Sequence, residues 1–216
     1  MDWALLNELP EAERKALLAL TRRRRFAKGE VVFHEGDPGD TLHLVDRGKA
    51  AVRLTTPVGD VHILRVLPPG GWFGELALIT GSPRNATVFA LEALETLAVS
   101  RVHLDEVRAR QPAFDKALTD SLVIEVRRLS TALLEALFVP VEQRTYRRLA
   151  ELVPIYGGGE PPVVITLTQE EIAQVVGTTR PTVNKVLQSA AAAGILAIRR
   201  GQVDILDPDL LRRRAR

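Results

Sequence analysis

Residues 168–196 read TQEEIAQVVGTTRPTVNKVLQSAAAAGIL, and this stretch decides the architecture of the carboxyl-terminal third. Thr168-Gln169-Glu170-Glu171 has the spacing of a capping box, in which the Thr hydroxyl accepts from the Glu171 N–H and the Glu side chain reaches back to the Thr amide. It predicts a helix over 169–176 with Ile172, Ala173 and Val176 inward. Gly177 supplies a left-handed turn residue, Thr178-Thr179 restart the chain as a second cap, and 180–191 reads as another helix with Val183, Val186 and Leu187 inward. That second helix is expected to expose Arg180, Thr182, Asn184, Lys185 and Gln188, and no acid lies between Thr178 and Ala193. These residue types donate to guanine, pair with adenine or hold phosphates. Beyond it, 195–199, Arg200-Gly201-Gln202 and 203–206 read as a two-stranded hairpin with a basic tip. Helix, tight turn, helix and ribbon make a winged helix-turn-helix; the plainer alternative is a helical hairpin with a β ribbon.

The rest of the chain fits a protein with more than one compact unit. At 216 residues it exceeds the usual one-domain size of about 100–150 residues. Apolar residues at 46% and charged residues at 26% are the balance of a chain that buries a core, which rules out a disordered composition. No apolar run approaches the roughly 18–20 residues that span a bilayer. MDWALLNELPEAERK carries acids where a signal peptide would be positive, so a cytoplasmic protein is expected. The absence of cysteine excludes disulfides, zinc-thiolate and iron-sulfur centres and cysteine nucleophiles. Net charge is +3 over residues 140–216 and −1 over 1–139, so the basic excess belongs with the helix-turn-helix.

Toward the amino terminus, Leu5, Leu6, Leu9, Leu17, Leu18 and Leu20 recur at helical spacing with a break at Pro10. Arg22-Arg23-Arg24-Arg25 then suits either contact with nucleic acid or, more simply, a solvated helix end. From Phe26 to Val102 short alternating segments (31–33, 41–45, 51–54, 62–66, 87–90, 94–99) are punctuated by glycines, as in a small β sandwich or barrel. Residues 103–110 and 112–138 read as helices. The longer one carries two apolar rows, Leu118, Leu122, Leu129, Ala132, Ala136 and Val123, Val126, Leu133, Leu137. A helix with two such rows must bury two faces, and the simplest cover for the second is the same helix of another subunit. Val139-Pro140-Val141 reads as a hinge. Arg144 to Leu152 reads as a helix closed by Pro154 and Gly157-Gly158-Gly159.

A second motif lies in the β region: Gly70-Gly71-Trp72-Phe73-Gly74-Glu75-Leu76-Ala77-Leu78, then Pro83-Arg84-Asn85-Ala86-Thr87. Gly74 leaves backbone N–H groups free at the start of a short helix. Glu75 can accept from a sugar hydroxyl, and Arg84 can neutralise a phosphodiester with paired donors. The plainer role for Arg84 is a surface salt bridge.

The 168–196 stretch resembles the helix-turn-helix of the cyclic-AMP receptor protein and FNR family of bacterial transcription regulators, and 70–87 resembles the phosphate-binding cassette of cyclic-nucleotide domains. The resemblance covers the whole chain. It implies an α+β fold with a cyclic-nucleotide-binding β-roll over 1–111, a dimerisation helix over 112–138 and a winged helix-turn-helix over 139–216. It further implies a homodimer that binds double-stranded DNA as a transcription regulator, with cyclic AMP as effector, RNA polymerase as a partner, no metal and no membrane. An alternative within the family binds DNA constitutively or with another effector. Carried over residue by residue, Glu75 falls on the ribose 2′-OH, and Arg84 with the Leu76 and Asn85 backbones falls on the cyclic phosphate beside Gly74. Ser130 and Thr131 fall near the adenine edge. On the DNA side the resemblance marks Thr168, Gln169, Thr179, Arg180, Pro181, Thr182, Asn184, Lys185 and Arg200, with Arg180 on a guanine. Two positions depart from the family pattern. Pro181 stands where Glu is common, which alters readout at one base pair, and Asn85 stands where cyclic-AMP binders often have Ser or Thr.

Other chemistries find little support. His34, His43, His62 and His103 are available as haem ligands, but strand and turn histidines are usually surface residues. His34, Glu35, His43 and His62 lack the compact spacing of a metal-binding barrel. There is no P-loop, G-x-S-x-G or H-E-x-x-H, so no enzyme is expected.

Overall fold

The computed structural model describes residues 2–157 and 160–216; Gly158 and Gly159, read above as part of a helix stop, lie outside them. By internal contacts the chain divides into two compact units, residues 1–54 with 67–129, and residues 55–66 with 130–216.

The first unit opens with a 3-10 turn, Ala4–Leu6, and helix α1, Glu11–Ala19, which Pro10 starts from the N-cap position. The strands that follow along the chain are β1 (Arg22–Phe26), β2 (Val31–Phe33), β3 (Thr41–Arg47), β4 (Ala50–Thr55), β5 (Val61–Leu67, most of it in the 55–66 segment grouped with the second unit), β6 (Trp72–Phe73), β7 (Thr87–Ala90) and β8 (Leu94–Ser100). They form two four-stranded sheets, β1-β8-β3-β6 and β2-β7-β4-β5. Alternation along β3 gives its sheet two buried faces. Leu42 and Leu44 join Val99 of β8 and Trp3, Leu6, Leu17, Leu104 and Phe114 in a core between sheet and helices. Val45 and its neighbours on the other face join Phe26, Phe73, Val88 and Leu94 in a second core within the roll.

Two elements correct the sequence reading here. Arg22–Arg25 are the edge strand β1, not a helix end: the run pairs antiparallel with β8, Arg22 opposite Ala98 and Phe26 opposite Leu94. Arg23 bonds Glu95 at 2.7 Å and Asp46 at 2.5 Å, and Arg25 bonds Glu95 at 3.0 Å, so neighbouring acids take half the run's charge. The two-residue strand β6, paired with His43 and Leu44, had no pattern of its own. Short helix α2 (Glu75–Thr80) follows it, and its last turn is tied down by Arg101, which donates to the carbonyls of Ala77 and Leu78 at 2.9 Å.

Helix α3 spans Arg101–Arg110, with Ser100 capping it through the His103 N–H, and α4 spans Pro112–Phe138. Leu118 is buried, whereas Val123, Val126, Leu133 and Leu137 stand 45%, 63%, 60% and 64% exposed, with Phe138 at 77%. One chain covers only part of this helix.

In the second unit, α5 runs Val141–Tyr156 from N-cap Pro140. It begins three residues before the sequence reading places it and passes through Pro154, which removes the N–H that would bond the Ala150 carbonyl, so that the helix stops two residues later at Tyr156. Glu135, buried at the end of α4, accepts from Arg147 at 2.8 Å and also from Arg148. The remaining elements are β9 (Val163–Ile165), α6 (Gln169–Val176), α7 (Arg180–Ala192), β10 (Leu196–Arg199), β11 (Gln202–Ile205) and α8 (Pro208–Arg214). The expected hairpin is present as β10 paired with β11, and β9 adds a third strand the sequence reading did not place, Val163 and Ile165 burying in the core. Ile172, Val176, Val183, Leu187, Ile195, Val203 and Leu211 close that core.

Candidate functional site

In the first unit the residues of the 70–87 motif gather around one buried cation. Gly74 is the N-cap of α2 with φ +93°, a conformation glycine adopts freely. A Cβ there would stand 2.5 Å from Arg84 Nη1 and 2.9 Å from the Thr41 carbonyl oxygen, so the position also needs glycine's lack of bulk. Arg84 is only 4% exposed, which overturns the surface salt-bridge alternative. Its Nη1 donates to the Gly74 carbonyl at 2.9 Å, and its Nη2 donates to the Thr41 carbonyl at 2.8 Å and to Thr41 Oγ1 at 2.9 Å. The guanidinium carbon lies 4.1 Å above the Phe33 ring, a cation–π contact. Its Nε–H is buried without a partner. Burial pushes the Arg84 pKa down, while Asp40 and Glu75 oppose that shift by their charge. A buried cation with one nitrogen wholly unpartnered is a group built to meet an anion.

The backbone around Arg84 is fixed as well: its N–H donates to the Asp37 carbonyl and its own carbonyl accepts from Gly36, both at 2.8 Å. Glu75 and Leu76, the first residues of α2, are half-buried, and Asn85 is exposed. Ser130 and Thr131 are exposed on α4 and belong to the second unit, so neither unit by itself joins them to Arg84.

Behind Arg84 lies a cluster that the sequence reading missed. His43 is buried, against the expectation that strand histidines face solvent. Its ring stacks on Phe73, with centroids 5.0 Å apart and an interplanar angle of 3°. Nδ1 lies 3.0 Å from Thr96 Oγ1 and Nε2 lies 3.3 Å from Thr41 Oγ1. Burial first, then the nearby charges of Arg84 and Arg24, push its pKa down to about 3, so the ring is neutral at physiological pH. The signal that would have found it was period-2 alternation, which puts His43 on the face of Val45, toward the roll interior.

In the second unit the capping box is present in both directions: the Glu171 N–H donates to Thr168 Oγ1 at 3.2 Å, and the Thr168 N–H donates to Glu171 Oε2 at 2.7 Å. Gln169, the first residue of α6, is half-buried. Gly177 has φ +73° and ends α6. Thr179 occupies the N-cap of α7 but does not cap it with its side chain, which bonds Thr182 Oγ1 at 2.9 Å instead. Arg180 and Pro181 fill the first turn, where an N–H has no helical partner and Pro is tolerated. Arg180, Pro181, Lys185 and Gln188 are exposed, whereas Thr182 and Asn184 are half-buried and Asn184 Oδ1 is buried without a partner. The exposed face of α7 is thus narrower than expected. Arg200 is exposed at the hairpin tip beside Gly201. Asp204, buried in β11, accepts from Arg199 and from Gln202, the latter at 2.7 Å. The side chains of Arg180, Lys185 and Arg200 make no hydrogen bond or ion pair among the described residues, which leaves three cations free on this unit.

Comparison with known proteins agrees with this anatomy. Residues 23–111 match the family model of the cyclic nucleotide-binding domain, and residues 127–214 match that of the Crp-like helix-turn-helix domain. The chain is 34% identical over 210 residues to a CRP-like cAMP-activated global transcriptional regulator of Mycobacterium tuberculosis, with 94% of each chain covered. It is 31% identical over 207 residues to a cyclic AMP receptor protein of Thermus thermophilus, covering 96% of this chain and 94% of that one. The fold is shared with the c-di-GMP responsive regulator CLP of Xanthomonas campestris at a TM-score of 0.77 and 22% identity, over 91% of this chain and 99% of that one. A nucleotide-binding module and a DNA-binding module thus account for the two units without an enzyme active site, and the chain belongs to the CRP family of transcription regulators.

Proposed function

We propose that the chain is a cytoplasmic, homodimeric regulator that binds cyclic AMP in the β-roll and palindromic DNA through its two winged helices. The organisation proposed is a nucleotide-binding domain over 1–111, a dimerisation helix over 112–138 and a DNA-binding domain over 139–216. The observation that carries the effector half is Arg84, buried and aromatic-backed, with its Nε–H unspent beside Gly74. A cyclic phosphate supplies the missing acceptor and the compensating charge. Glu75, half-buried at the start of α2, takes the ribose hydroxyl, and the Leu76 and Asn85 backbones complete the phosphate contacts. Ser130 and Thr131 are assigned to the adenine edge. The cyclic-AMP-named relatives support this choice of nucleotide. A second effector reading, c-di-GMP, rests on the shared fold with CLP and on Asn85, whose amide has a different reach from Ser or Thr.

On the DNA side, Arg180 reads a guanine, Lys185 contacts a base edge or phosphate, and Thr168, Gln169, Thr179 and Arg200 bind the backbone around them. Thr182 and Asn184, half-buried, contribute at the margin, and Pro181 offers no acceptor to cytosine, so one base pair of each half-site is weakly specified. The exposed apolar row of α4 pairs with its copy in a second subunit, which sets the two recognition helices a fixed distance apart. Helix-turn-helix dimers, members of this family among them, place half-site centres about 10–10.5 bp apart or a multiple of that, a spacing taken over here from that general geometry. Nucleotide acts by preferring the DNA-competent arrangement about the Val139-Pro140-Val141 hinge. A shift from 1:99 to 99:1 takes about 5.5 kcal/mol of preference, within reach of two ligands per dimer. RNA polymerase is the partner through which DNA binding regulates transcription.

The test is selection of a binding site from random DNA, then titration of that site with and without cyclic AMP. A palindrome bound more tightly with nucleotide supports the proposal; equal binding in both conditions favours constitutive action.

A further inference from the structure

We infer that Thr41 and His43 are positioning residues for Arg84: His43 accepts a hydrogen bond from the Thr41 hydroxyl, and the Thr41 oxygens so oriented hold the guanidinium where it presents Nε–H to a ligand phosphate. The inference rests on the reading of Arg84 as the phosphate-binding cation.

The donor and acceptor inventory forces most of it. A guanidinium only donates, so Thr41 Oγ1 must accept from Arg84 Nη2 at 2.9 Å. The hydroxyl keeps one proton to give. Two acceptors lie in reach, His43 Nε2 at 3.3 Å and Asp40 Oδ1 at 3.4 Å, the first buried and the second exposed. A hydrogen bond donated to Nε2 requires that nitrogen to be bare, which puts the ring proton on Nδ1, where Thr96 Oγ1 stands 3.0 Å away as its acceptor. Every buried polar atom of the chain Thr96, His43, Thr41, Arg84 is then satisfied except Arg84 Nε.

The packing makes this chain stiff. His43 is sandwiched by its stack on Phe73, and Phe33 leans on both rings, with centroids 6.1 Å from His43 and 5.7 Å from Phe73. The Phe33 ring also carries the Arg84 guanidinium. The cation is therefore seated by Phe33 below, Thr41 at one end and the Gly74 carbonyl at the other, and Nε is the nitrogen left without a partner. Burial first, and then the cations Arg84 and Arg24 facing His43 against the one exposed acid Asp40, hold the ring in its neutral, accepting form.

The experiment has two arms, both on the full chain. Nitrogen-15 spectra of His43 in the absence of ligand should show Nδ1 protonated and Nε2 bare, with no titration between about pH 5 and 8, the range in which an ordinary histidine changes charge. A protonated Nε2 or a titration in that range overturns the inference. Calorimetric titration with cyclic AMP then compares the wild type with Thr41→Val, Thr41→Ser and His43→Phe. Thr41→Val, which loses a hydrogen bond to the charged guanidinium, and His43→Phe, which releases the Thr41 hydroxyl from the orientation that accepts it, should bind about ten-fold more weakly, and Thr41→Ser, which keeps the hydroxyl, should bind as the wild type does. Thr41→Val binding as tightly as the wild type, or Thr41→Ser failing as far as Thr41→Val, overturns the inference while the phosphate reading stands. A wild type that binds no cyclic nucleotide removes the phosphate reading and the inference with it. Should Thr41→Val not fold, the wild-type spectra and the Thr41→Ser and His43→Phe titrations decide.

Discussion

Replacing Gly74 by alanine separates backbone strain from the loss of a binding cradle. The residue sits at φ +93°, ψ 4°, where an L side chain costs about 1–2 kcal/mol. The added Cβ would also lie 2.5 Å from Arg84 Nη1 and 2.9 Å from the Thr41 carbonyl oxygen, both closer than real Cβ contacts come. Thr41 is pinned in β3, so Arg84 must retreat, and with it goes the bond from Nη1 to the Gly74 carbonyl, a charge-assisted bond of about 1.5–3 kcal/mol. The cation no longer stands where the phosphate meets it, and cyclic-AMP affinity should fall by at least about 100-fold, the equivalent of roughly 3 kcal/mol. Gly81 provides the control. It ends the same helix at φ +71° with nothing within 4 Å of an added Cβ, so Gly81→Ala carries the strain without the clash. Both variants should melt earlier than the wild type, and only Gly74→Ala should lose nucleotide in calorimetric titration. Equal affinities for the two variants, or wild-type affinity in Gly74→Ala, would refute the assignment of Gly74 and Arg84 to one cradle.

If α4 pairs in the proposed dimer, the wild type should sediment as a dimer and Leu133→Asp as a monomer, because a carboxylate buried without a partner against its symmetry mate costs several kcal/mol; a variant that stays dimeric would place the interface elsewhere. Arg180→Ala should weaken binding to a selected palindrome by about 1–3 kcal/mol and to random DNA much less, and equal losses on both would deny it a base-reading role. Thr168→Ala removes a capping box and should cost about 1 kcal/mol of helix-turn-helix stability by denaturant titration. His43, with its folded pKa held to about 3 against an ordinary 6.5, leaves the unfolded chain binding more protons below about pH 6.5, so stability falls as the pH drops. The loss at pH 5 should be about 2 kcal/mol, and His43→Phe should remove that part of the acid sensitivity in melts from pH 7 to 5; an identical acid profile in the variant would show that His43 titrates normally.

What could be read from the sequence was local. The capping box, Gly177 and the inward residues of α6 and α7 each depend on neighbours within a few positions, and all are found where the spacing put them. Strands β2 and β7 match their alternating segments, and α4 matches its apolar rows. The failures are non-local. Four consecutive arginines carry no alternation, and β1 becomes a strand only because β8 pairs with it and Glu95 and Asp46 meet its charge from across the sheet. Val163–Ile165 is too short to read as a strand until β11 lies beside it. The same holds for the candidate site. Gly74 and Arg84 belong to one contiguous motif, but Thr41 is 43 residues from Arg84 in sequence and reaches it only through the placement of β3 against α2. His43 was legible in principle, as the polar residue on the inward face of an apolar strand, yet its partner Thr96 arrives 53 residues later.

The central claim, that the β-roll is a cyclic-AMP sensor built on Arg84, is tested most directly by calorimetric titration of the purified protein with cyclic AMP, with cyclic GMP and Arg84→Ala as controls. The account predicts one cyclic AMP bound per chain, weaker binding of cyclic GMP and none to Arg84→Ala. Absence of heat with cyclic AMP, or undiminished binding to Arg84→Ala, would contradict it.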